Sequence, residues 1–112
     1  MRLVERKQDP DANTRSLPKV WINPHALDRF RERTRQPNLT NAQVISMIEK
    51  GVRDGVEFVE RRHNGSVMFH CPSIFVDVIA IKMRDRWDIA TIGCTRWERE
   101  PEYYVDPLRR NG

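Results

Sequence analysis

Ile74-Phe75-Val76-Asp77-Val78-Ile79-Ala80-Ile81 is apolar on alternate positions of both parities. A strand with one face in water shows a period of two; a run apolar on both faces reads as the central strand of a sheet. Its neighbours follow from this assignment. Upstream, Val56 to Arg61 has strand character, Asn64-Gly65 is a hairpin turn signal, and Ser66 to His70 returns antiparallel until Pro72 breaks the run. Downstream, Arg84-Asp85 offers a turn and Trp87 to Arg96 the last strand. Four strands joined by short turns predict an antiparallel meander.

Before residue 56 the period is helical. Thr40 and Gln43 have capping-box spacing, Leu39 and Val44 the spacing of a hydrophobic staple, and Val44, Ile45, Met47 and Ile48 form an apolar face. Gly51 stands where a left-handed residue would end that helix. An earlier helix begins at Asn23-Pro24, a cap followed by a proline that has no N–H to leave unpaired. Arg35 to Asn38 closes it, since Pro37 disfavours helix at the preceding residue. The expected fold is α+β: two N-terminal helices packed on a four-stranded antiparallel meander sheet.

The 112 residues suit one domain over residues 19–98. Residues 1–18 read as a flexible arm with Val20-Trp21-Ile22 as an apolar anchor after it, and 99–112 as a charged tail. Charged residues make up 32% and the formal net charge is +4, with Arg far more frequent than Lys. Arg is the better bidentate phosphate ligand, so the balance favours RNA or another nucleic acid as partner. Cys71 and Cys94 make no disulfide framework and no Cys/His set has zinc spacing, so neither a metal nor another cofactor is expected. No signal peptide or membrane-spanning run is visible, which reads as cytoplasmic.

Chemistry concentrates on the first helix. His25, Arg29 and Arg33 recur every four residues and share one face. First-turn placement, at the positive end of the helix dipole, favours the neutral imidazole that a general base needs. Arg29, one turn on, is spaced to hold a phosphate. Thr91 and Arg96 on the last strand would join the row if their face meets that helix, and His70 is a second acid or base. Arg61, Arg62, Lys82, Arg84 and Arg86, with Arg96, form the expected nucleic-acid-binding set near strand ends. Trp87, Trp97, Tyr103 and Tyr104 can stack on bases or pack in the core. The same row also fits a purely structural role, with His25 capping and the arginines paired to Asp28, Glu32 or Glu57.

His25-Ala26-x-x-Arg29-x-x-x-Arg33, then Leu39-Thr40, Val44, Ile48 and Gly51, then strands ending in Ile89-Ala90-Thr91-Ile92, resembles a small bacterial and phage domain family of unassigned function. That family opens on an H-A-x-x-R-x-x-x-R helix and is grouped with ribonuclease toxins of the barnase, EndoU, colicin and RelE kind. The resemblance implies metal-independent RNA cleavage, with His25, Arg29 and Arg33 as the positions that carry over. Two readings of function follow: a small toxin-like ribonuclease, or a non-catalytic module of the same fold that binds nucleic acid, an antitoxin or a host protein. A structural or inhibitor protein, its polar row tied up in salt bridges, is the third.

Overall fold

Asn23 Oδ1 accepts from the His25 backbone N–H at 2.8 Å, and Pro24 takes the first helical position, so helix α1 (Pro24–Thr34) starts where its sequence asks it to. It ends without glycine. Arg35 adopts the left-handed conformation (φ 59°, ψ 41°), and the Gln36 N–H donates to Arg31 O at 2.9 Å. Helix α2 (Asn41–Asp54) opens on a complete capping box, with Thr40 Oγ1 accepting from Gln43 N–H and Gln43 Oε1 accepting from Thr40 N–H. The helix does not stop at Gly51; it continues one turn and is capped at Gly55. Gly51 serves close approach instead. A Cβ there would lie 2.9 Å from Ile74 Cδ1 and 3.2 Å from Cys71 Sγ, so the missing side chain lets α2 press onto the end of a strand.

The computed structural model describes residues 9–95. Its strands are β1 (Val20–Ile22), β2 (Glu57–Arg61), β3 (Val67–Cys71), β4 (Val76–Lys82) and β5 (Trp87–Thr95), in the spatial order β1-β5-β4-β3-β2. The α+β class holds and β4 is central, but the sheet has five strands rather than four, and it is mixed rather than antiparallel. Val20-Trp21-Ile22 pairs parallel to Trp87, Asp88 and Ile89. Three residues are too few to display a period of two, and a parallel partner far along the chain leaves no local turn signal.

The sheet has a helix side and a far side. Val76, Val78 and Ala80 of β4 face the helices, where they are buried with Ala26, Leu27 and Phe30 of α1 and Val44, Ile48 and Val52 of α2. In β5 the pairing runs Ile79 with Thr91 and then Ala80 with Ile89, so Ala90 is an extra residue. That bulge brings both Ile89 and Ile92 to the helix side. Phe69 meets the Trp87 ring edge-on at 5.3 Å between centroids, filling the core towards β3.

Part of the expected flexible arm is folded. Leu17 is 1% exposed, its N–H donates to Val52 O at 2.8 Å, and the Val56 N–H donates to Arg15 O at 2.8 Å. A single leucine beside Pro18 carries no periodicity, and these bonds join residues far apart in sequence, so nothing local announced the docking. Leu17→Ala should lower unfolding free energy by about 2–5 kcal/mol, as for a buried leucine elsewhere in a core. Urea denaturation measures it; a loss below about 0.5 kcal/mol would return the arm to the surface.

Candidate nucleic-acid interface

On α1 the row begins as expected. His25 is exposed, and Arg29 lies beside it with Nε donating to His25 Nε2 over a long 3.5 Å. Arg29 is also bonded through Nη1 to Glu32 at 2.9 Å. Arg33, one turn further on, is half-buried like Arg29, with its Nε buried. Arg31 joins the helices: it pairs with Asp28 at 3.1 Å and donates to Asn41 Oδ1 at 2.9 Å and Leu39 O at 3.3 Å. Thr91 is opposite Ile79, on the side of the sheet away from the helices. The expected quartet of His25, Arg29, Arg33 and Thr91 is therefore not gathered in one place.

The second expected cluster is better assembled. Arg61 pairs with Val67, Val67 with Ala80 and Ala80 with Ile89, which puts the β2–β3 and β4–β5 turns at the same end of the sheet. Lys19 belongs to that end too, since its carbonyl accepts from the Trp87 N–H at 3.0 Å. Lys82, Arg84, Arg86 and Lys19 border a pocket of about 260 Å³ with Met83 and Trp87 in its wall. Arg62 and Arg84 are exposed and make no ion pair with any described residue. Arg96, Trp97, Tyr103, Tyr104 and the tail lie outside the described residues.

Arg61 is committed elsewhere. Its Nε and Nη2 donate to the two oxygens of Asp9 at 3.0 and 2.9 Å, and Nη2 also donates to Asp11. Asp11 is 4% exposed and takes a second, longer contact from Lys82 Nζ at 3.4 Å. Lys82 in turn lies 5.7 Å from the centre of the Trp87 ring. The Arg61 hydrogen bonds hold the Asp9 carboxyl below its ordinary value and push the Arg61 guanidinium up. Arg86 is likewise pushed up by its 2.6 Å bond to Asp88.

His70 occupies β3, an interior strand, and its Nδ1 lies 2.8 Å from Asp77 Oδ1. Asp77 is 1% exposed, and its position inside the apolar run was the available signal that it needs a partner. Cross-strand pairing sets Glu57, His70 and Asp77 in one row. The Cys71 thiol is raised, first by burial. Among the described residues no three His, Cys, Asp or Glu side chains gather in a way that could hold a metal ion. No helix there is long and apolar enough to cross a membrane. Comparison with protein-family models, with curated proteins and with solved structures found no match.

Asp9 predicts an acid-sensitive clasp. A carboxyl with a lowered folded value adds stability above its ordinary 3.8, and that stability is lost as pH falls through the lowered value. Asp9→Asn should remove this component, so the melting-temperature gap between wild type and variant should close as pH falls below the ordinary carboxyl value of 3.8 and through the lowered one. Arg61→Gln should cost about 1–3 kcal/mol at neutral pH, because it leaves the nearly buried Asp11 with only the longer Lys82 contact. Superimposable wild-type and Asp9→Asn profiles would show that the clasp does not titrate with folding.

Proposed function

We propose that this protein binds RNA through the basic end of its sheet. The observation that carries the reading is the convergence of Lys19, Arg62, Lys82, Arg84 and Arg86 from separate segments onto one sheet end. Arg62 and Arg84 stand in solvent, where folding gains nothing from their charge. Such a surface attracts a polyanion and releases counterions as each phosphate is neutralised. If three of these residues reach phosphates of a single strand, the salt slope is about −2, so affinity should fall about 20-fold from 50 to 200 mM salt. Arg84→Ala with Arg62→Ala should flatten that slope. Titration of a labelled RNA at several salt concentrations reads both. No binding at low salt would remove the proposal.

A second reading is catalytic, and one observation favours it. His25 is exposed at a helix start with Arg29 in contact one turn on, as the resemblance to ribonuclease toxins implies. In this reading His25 takes the ribose 2′-hydroxyl proton, the 2′-oxygen bonds to phosphorus as the bond to the 5′-oxygen breaks, the leaving 5′-oxygen takes a proton from water, and Arg29, released from Glu32, holds the phosphate. Cleavage should persist in EDTA and leave 2′,3′-cyclic phosphate ends. His25→Ala should reduce it by roughly 10²- to 10⁴-fold. RNA left intact by the wild type, or cleaved equally by His25→Ala, leaves binding as the function.

A further inference from the structure

Trp21 is an exposed aromatic residue that register places near the basic end of the sheet. Val20 and Ile22 pack towards the core, so Trp21 between them points to the opposite side of β1, where it is 46% exposed. Register fixes its neighbours: Trp21 is opposite Asp88, and Asp88 is opposite Ile81, which is 43% exposed. One step towards the basic end, the Lys19 carbonyl bonds the Trp87 N–H and the Arg86 carbonyl bonds the Met83 N–H. By alternation Lys19, Arg86 and Met83 share the side of Trp21. Met83 is 41% exposed. Two rows thus lie side by side: Trp21, Asp88 and Ile81, and next to them Lys19, Arg86 and Met83, the second row carrying the cations.

The Asp88 bond ties the rows together. It is made by Arg86 Nε at 2.6 Å, which holds the guanidinium over the Trp21 row and leaves its two Nη groups for another acceptor. A flat indole beside a fixed guanidinium and a lysine matches the alternating chemistry of a nucleotide, base against ring and phosphate against cation.

From this juxtaposition, and resting on the RNA-binding reading above, we infer that the ligand is single-stranded and that Trp21 stacks one of its bases while Lys19 and Arg86 hold the adjoining phosphate. A duplex keeps its bases stacked on each other and can use only the cations. An apolar peptide would use Trp21, Ile81 and Met83 but gain nothing from the cationic row, so RNA is the better complement.

The test compares wild type, Trp21→Ala and Trp21→Phe against a labelled oligouridine, an RNA duplex and inorganic polyphosphate. Trp21→Ala should weaken oligouridine binding roughly 5- to 150-fold, the effect of losing one base stack, with the salt slope unchanged. Duplex and polyphosphate binding should stay at the wild-type level, and Trp21→Phe should retain most oligouridine affinity. Equal oligouridine binding by wild type and Trp21→Ala overturns the stacking role and leaves the charge-based reading standing. An equal loss on all three probes also overturns it. Wild type that binds none of the probes removes the RNA reading itself. If such a wild type self-associates and Trp21→Ala does not, the patch belongs to a protein partner.

Discussion

Ala90 decides which side of the sheet the residues of β5 from Trp87 to Ile92 serve. As the extra residue against Ile79 and Ala80, it restores the helix-facing side after one step too many, so Ile89 and Ile92 can both fill the core under α1. Without it, strict alternation would send one of the two isoleucines to the far side of the sheet, away from the core under the helices. The same offset carries Thr91 away from the helices. Packing of the core and dispersal of the expected catalytic set are therefore one event.

Much of the fold could be read because its signals are local. The capping box at Thr40, the cap at Asn23, the Asn64-Gly65 turn and the doubly apolar run around Val78 each act within a few residues. What could not be read depends on distant partners. Val20-Trp21-Ile22 becomes a strand only because β5 arrives beside it, and Leu17 is buried only because α2 ends above it. Gly51 shows a local rule giving way: a glycine placed like a helix stop is kept for the Ile74 and Cys71 side chains that meet it.

The candidate site divides in the same way. Spacing placed His25 and Arg29 side by side correctly, since a helix fixes neighbours at four residues. It could not show that Glu32 would hold Arg29 or that Asp9 and Asp11 would take Arg61 out of the cationic set, the latter pairs being about fifty residues apart in sequence. Nor could it mark Trp21, whose exposure depends on a strand too short to recognise. Charge counting picked residues that do meet at one end of the sheet; only geometry separated the arginines held in ion pairs from those that face solvent.

The two edge strands among the described residues, β1 and β2, are poor templates for another strand. β1 offers only three residues, while β2 breaks register between Phe58 and Glu60 and carries Glu57, Glu60 and Arg61 along its exposed length. Short, bulged and charged edges resist pairing with foreign backbone, the usual route to fibrils and to peptide capture by strand addition. A chain extended along β1 or β2 would therefore find only a short or interrupted ladder to join.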